Sequence, residues 1–215
     1  MRLFATVFTI FLGIAIASHA QEETVKAELA SGGSKNNFAE EIDPFTAEHI
    51  TDMTDGNDSS GFIHTSLFGD DFPSQISGVQ KRFDFDVSKF STISKLVFVW
   101  KGRYEWSAEV DNPLSTIWLG HVGPPYTLLK IEFGSTSDPT LRDGSIAFTG
   151  TDLAYILHDG LASVWVSSGF GTTNSTLWRF ISIETVEVSA EITGTLAPTS
   201  VESTPWSTVK RLYQD

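Results

Sequence analysis

The 215-residue chain contains no cysteine. That absence removes disulfides, thiolate nucleophiles, Cys-ligated zinc and lipid attachment through an N-terminal Cys together. Positive charge is scarce: 14 Lys and Arg stand against 27 Asp and Glu, a formal net charge of −13. Affinity for phosphate backbones comes from Lys and Arg, so nucleic acid is disfavoured as a partner, and an anionic membrane surface with it. Beyond residue 20 no apolar run approaches the roughly 18 residues of a membrane span, which argues against membrane insertion. Catalytic motifs are lacking too. His49, His64, His121 and His158 are scattered without metal-ligand spacing, and no glycine pattern marks a nucleophile elbow. The chain reads as non-catalytic, with a polysaccharide-active hydrolase or lyase as the remaining enzyme alternative.

What is present begins with MRLFATVFTIFLGIAIASHA. Arg2 supplies a positive start, residues 3–16 form an apolar run, and Ser18 and Ala20 place small residues before a cleavage point. This is the pattern of a secretory signal peptide over residues 1–20. It predicts an exported protein, secreted and extracellular or periplasmic. Without the leader, 195 of the 215 residues remain. A chain of that length can stabilise itself by burial alone.

Residues 21–60 are polar, with Gly-Gly and Asn-Asn pairs and no strand alternation. They read as a polar N-terminal arm, or as an extended segment that adds to a sheet edge of this chain or of a neighbour. From Gly61 onward short β runs alternate with turn signals. KRFDFDV sets Phe83, Phe85 and Val87 against Arg82, Asp84 and Asp86, and KLVFVW is apolar throughout. LSTIWL, YTLLKIEF, SIAF, LAYILHD and LASVWVSS continue the series, and Asp159-Gly160 is a tight hairpin signal. In TLWRFISIETVEVSAEI the apolar positions switch from odd to even, which predicts a bulge near Glu184-Thr185. Seven to nine strands and no convincing helix predict an all-β, antiparallel two-sheet sandwich over residues 61–193. Residues 194–215 form a tail in which Trp206, Val209 and Tyr213 share one face of a short helix.

The strand order from FDFDVSKFSTISKLVFVWKGR through LSTIWLG, YTLLKIEF, LRDGSIAFTG and DLAYILHDGLASVWVSS to ETVEVSAEI resembles secreted jelly-roll modules. These are the galactose-binding-like β-sandwiches of bacterial and archaeal surface proteins and carbohydrate-binding modules. The resemblance implies a jelly-roll fold and a glycan ligand. It departs at GHVGPPY, where such modules often carry a further Trp just before the turn.

Candidate site residues follow from the aromatics. Trp100 shares parity with Leu96 and Phe98 and is assigned to the core, as is Trp118 in its apolar run. Tyr104 and Trp106 alternate with Arg103 and Glu105 near a polar loop. They form a candidate stacking platform for sugars with charged groups beside it, or else cap the end of the sandwich. Trp165, Trp178 and Phe180 make a second candidate patch if their strands are neighbours; an N-terminal arm covering it is the alternative. Asp52, Asp55, Asn57 and Asp58 surround Gly56 and offer oxygen ligands for a structural Ca²⁺, against the alternative of a solvated turn. Asp70 and Asp71 are a weaker second candidate. Asn57 and Asn174 begin N-glycosylation sequons.

The leading expectation is a secreted, non-catalytic sandwich binding polysaccharide or a cell-surface glycan through exposed aromatics. The alternative is a self-associating fibre or surface-layer subunit, its N-terminal arm adding a strand to the next copy.

Overall fold

Alternation along residues 79–87 sets the interior: Val79, Lys81, Phe83, Phe85 and Val87 are buried, while Gln80, Arg82 and Asp86 remain partly exposed. The computed structural model describes residues 21–36, 41–68, 76–106, 116–120, 129–132, 138–168, 171–172 and 179–198. In chain order the strands are β1 (Glu22–Asn36), β2 (Asp43–Pro44), β3 (Phe62–Phe68), β4 (Ile76–Ser77), β5 (Val79–Asp86), β6 (Phe90–Trp106) and β7 (Thr116–Gly120). They continue as β8 (Leu129–Glu132), β9 (Asp138–Thr149), β10 (Leu157–His158), β11 (Leu161–Ser168), β12 (Gly171–Thr172) and β13 (Arg179–Leu196). Two short helices interrupt them, α1 (Ala47–Asp52) and α2 (Leu153–Ile156).

The strands form an antiparallel two-sheet sandwich. One sheet runs β9–β6–β13, with β13 flanked on its other side by β3 and by the first part of β1. The other runs β8–β7–β11–β5 and ends on the second part of β1 and β2, with β10 against β11. Phe98 of the first sheet lies 6.0 Å from Phe83 and 5.9 Å from Phe85 of the second, ring centre to ring centre. Each large apolar side chain buried in this interlayer contributes roughly 1.5–3 kcal/mol. β4 and β12 pair separately with each other.

Several findings adjust the sequence reading. Of the two readings of residues 21–60, a polar arm and an extended segment that adds to a sheet, the second holds within this chain: β1 pairs with β13 from Glu22 to Ala27 and with β5 from Glu28 to Asn36. A register irregularity between Leu29 and Ser31 accompanies this change of sheet, so no simple period-two pattern runs through the segment. The sandwich therefore begins at Glu22 rather than Gly61. Two helices occur where none is expected. Thr46 caps α1, its Oγ1 accepting from the His49 N–H at 3.2 Å while the Thr46 N–H donates to His49 Nδ1 at 3.3 Å. This is a capping box with His in place of Glu or Gln. The start of LAYILHD is helix α2 rather than strand.

Other features match. Asp159 (φ +46°) and Gly160 (φ +78°) form the two-residue turn joining β10 to β11. Pairing of β13 with β6 shifts between Thr185 and Glu187, and the adjacent Thr185 and Val186 are both fully buried. That is the bulge read from the change of phase. Among the described residues, no helix is long and apolar enough to cross a membrane. Residues 1–20, Asp70, Asp71, Asn174 and the Trp206–Val209–Tyr213 stretch lie outside the described residues.

Candidate functional site

The outer face of the β8–β7–β11–β5–β1–β2 sheet follows from register. One cross-strand row reads Lys35, Gln80, Ser167, Trp118 and Lys130. The next reads Pro44, Gly33, Arg82, Trp165 and Gly120. A third places Ser31 beside Asp84 and Asp84 beside Ser163. Trp118 and Trp165 stand diagonally on adjacent strands, about 7–8 Å apart at the backbone for such neighbours. Both are only partly buried, as are Lys35, Gln80, Arg82 and Ser167. Their strand neighbours Ile117, Leu119, Val164 and Val166 are fully buried on the opposite face. Strand pleating thus puts the aliphatic residues into the core and leaves the indoles outside.

Polar groups around Trp165 are fixed by one buried carboxylate. Asp84 Oδ2 accepts from Ser31 Oγ at 3.0 Å and from Arg82 Nε at 3.1 Å, with Arg82 Nη2 also 3.1 Å away. Asp84 Oδ1 accepts from Ser163 Oγ, which lies 3.3 Å from His158 Nε2. Asp84 is 1% exposed although it points away from the core, because its own partners cover it. Lys35 Nζ lies 5.9 Å from the centroid of the Trp165 ring, within cation–π range. The result is an aromatic surface bordered by oriented donors and acceptors.

Of the predicted ligand residues that the structure describes, Trp165 alone falls on this face. Tyr104 is fully buried, since it shares inward parity with Trp100; burial pushes its phenol up, with a Ser168 hydrogen bond opposing. An exposed Tyr104/Trp106 platform is therefore not formed. Arg103 and Glu105 lie on the outer face of the other sheet: Arg103 Nη1 pairs with Glu184 Oε2 at 2.6 Å, and Glu105 stands opposite Ser182. Trp106 ends β6 opposite Ile181. Trp178 lies outside the described residues, and Phe180 belongs to β13 in the other sheet from Trp165. Among the described strands β11 neighbours β5, β7 and β10 and not β13, so Phe180 does not stand on a strand beside Trp165.

The proposed calcium ligands are engaged with one another and with a lysine. Asp58 holds Lys101 Nζ at 2.6 and 2.7 Å. Asp55 Oδ1 accepts from the Asn57 N–H at 2.8 Å and, with Oδ2, from Ser60 Oγ at 2.9 Å. Asn57 Oδ1 accepts from the Ser59 N–H at 3.0 Å, and Asp52 ends α1. Among the described residues no group of three or more His, Cys, Asp or Glu is placed to hold a metal ion. The segment is a hydrogen-bonded Asx turn.

The apolar run around Trp118 assigns it to the core, whereas the structure leaves it partly exposed on the outer face. The usable signal was its place between Ile117 and Leu119, which alternation sends to the opposite face. Lys35, Gln80 and Ser167 became visible only through register.

No protein-family model matches the chain, and no curated protein matches it. Among solved structures, one described as "CpGH89CBM32-6 produced by Clostridium perfringens" is 13% identical, covering 74% of this chain and 91% of its own, with a TM-score of 0.25. Another, described as "CBM4 structure and function", is 14% identical, covering 60% of this chain and 94% of its own, with a TM-score of 0.27. The fold and the site rest on the strand pairing and side-chain geometry above.

Proposed function

We propose that the chain is an exported, non-catalytic module that binds carbohydrate on the outer face of the β8–β7–β11–β5–β1–β2 sheet. The observation that supports this reading is the pair of partly exposed indoles, Trp118 and Trp165, on adjacent strands among Gln80, Arg82, Ser163 and Ser167. Sugar rings present C–H groups to an indole face while their hydroxyls reach sideways for hydrogen bonds. A pleated face with aromatics in two rows and polar side chains between them matches both demands along an extended chain. The leader pattern of residues 1–20 fits export to where glycans are met. Both parts of β1 are paired within the chain's own sandwich, which favours this reading over a fibre subunit that lends that segment to the next copy.

The test is electrophoretic retardation in gels containing soluble polysaccharides, paired with tryptophan fluorescence titration. Trp165→Ala is expected to weaken binding at least tenfold, in keeping with about 1.5 kcal/mol or more for a stacked aromatic. If no member of a broad neutral and acidic panel retards the protein, or Trp165→Ala binds as the parent does, the reading is wrong.

A further inference from the structure

We infer that the ligand of this face is an acidic polysaccharide whose sugars carry carboxylates, a polyuronate, recognised by Arg82 and Lys35 beside Trp165. This inference rests on the carbohydrate reading above and specifies its ligand class.

The first ground is a local inversion of charge. The chain carries 27 acids against 14 bases, yet the two rows through the tryptophans contain Lys35, Arg82 and Lys130 and no acid. The acids of this face sit in other rows: Asp84 one row away, bonded to Arg82, Asp86 opposite Glu28 beyond that, and Glu132 opposite Thr116 on the far side of the Trp118 row. A neutral glycan has no use for such a strip. An anionic one would be repelled by the rest of the surface and held only here, which gives orientation as well as attraction.

The second ground is the presentation of Arg82. Asp84 Oδ2 takes its Nε and Nη2 on one edge of the guanidinium. The other edge, formed by Nη1 and the second Nη2 proton, meets no acceptor among the described residues. A guanidinium held by one edge offers the other as a rigid two-donor fork, the geometry that matches a carboxylate with two parallel hydrogen bonds. In register it stands directly beside Trp165, at the usual cross-strand spacing of about 5 Å. Lys35 Nζ, 5.9 Å from the same ring, supplies a second cation on a flexible stem. A uronate ring stacked on the indole places its carboxylate at the ring edge, within reach of either group. Asp84 is then a positioning residue, and Arg82 makes the contact.

The experiment compares one polymer in two charge states. Polygalacturonate, its carboxyl-reduced neutral counterpart and dextran sulfate are titrated into the full chain, with affinity read by calorimetry at low and moderate salt. Polyuronate is expected to bind at least tenfold tighter than the reduced polymer, with the preference shrinking as salt rises. Arg82→Gln is expected to cut that preference to within about threefold, its loss falling mainly on the polyuronate. Lys35→Gln, which leaves the Asp84 network untouched, is expected to lower it by a smaller factor and guards against misfolding of the first variant. Equal or tighter binding of the reduced polymer overturns the inference and leaves carbohydrate binding standing. Dextran sulfate binding as tightly as polygalacturonate overturns carboxylate recognition in favour of charge alone. No binding to any polymer overturns the carbohydrate reading itself.

Discussion

Lys81 of β5 reaches across the sandwich and donates from Nζ to Thr185 Oγ1 of β13 at 3.2 Å, joining the two sheets through a fully buried amine. The same Nζ donates to the Phe62 carbonyl and lies 4.6 Å from the Phe62 ring centre, while Trp100 Nε1 donates to Thr185 Oγ1 at 3.0 Å. Burial pushes the amine well below the usual lysine value of 10.5, with the charge of Glu184 opposing. The unfolded chain therefore binds the proton more readily than the folded one, and stability rises with pH up to about that unfolded value. Lys81→Met, similar in length but without a titrating group, is expected to flatten the rise seen between neutral and alkaline pH in urea melts. Lys81→Ala adds a cavity and is expected to cost about 2 kcal/mol or more at every pH. An unchanged pH slope in Lys81→Met would show that the amine is not what titrates.

His64 extends the same interior toward acid. Its Nδ1 lies 2.8 Å from Ser34 Oγ and its Nε2 3.1 Å from Asn36 Oδ1. Burial and the neighbouring Lys81 lower its pKa below 6.5, and Asp43 opposes them. A base with a lowered folded pKa costs stability when it must be protonated, so stability falls as pH drops through and below 6.5. Thermal melts at pH 7 and pH 5 are expected to show a smaller drop for His64→Gln than for the parent. A drop of equal size would assign the acid sensitivity to other groups.

The parts of this fold that were legible share one property: they are local. Phe83, Phe85 and Val87 declare a strand by alternation, Asp159-Gly160 declares a turn by its backbone, and the parity switch before Val186 declares a bulge. β1 was illegible because it serves two sheets, so its exposed and buried positions change phase between Leu29 and Ser31. The site was harder still. Ser163 and Ser167 put Trp165 on an outer face by alternation, but the sequence does not say which strand adjoins it, and pairing gives it Trp118 of β7. Tyr104 misled because two aromatics two residues apart look the same whether their shared face is inside or outside. Which strands adjoin is a property of topology, and alternation carries no information about it.

Gly160 has a simple role that a single methyl group tests. With φ at +78° it occupies a backbone region that L side chains rarely adopt, and its carbonyl accepts from the Val87 N–H at 2.9 Å. A Cβ there would meet Ser88 Cβ at 3.5 Å, an ordinary contact. The expected cost of Gly160→Ala is therefore conformational alone, about 1 kcal/mol. A loss above about 3 kcal/mol in denaturant melts would mean that something other than φ is at stake.

Gly102 is the opposite case, needed for space. It sits opposite Thr185 where the β13 bulge crosses β6, and a Cβ there would fall 2.1 Å from the Glu184 carbonyl oxygen and 2.4 Å from Trp100 Cζ2. Neither neighbour can move easily: the carbonyl belongs to a paired strand, and the indole is fully buried with its N–H bonded to Thr185. Gly102→Ala is expected to cost about 3 kcal/mol or more, or to prevent folding. Gly56→Ala is the control. Gly56 also has a positive φ, +73°, but its Cβ would meet nothing within 4 Å, so its cost stays near about 1 kcal/mol. Equal losses for the two variants would remove close packing of the bulge against Trp100 as the reason for glycine at position 102.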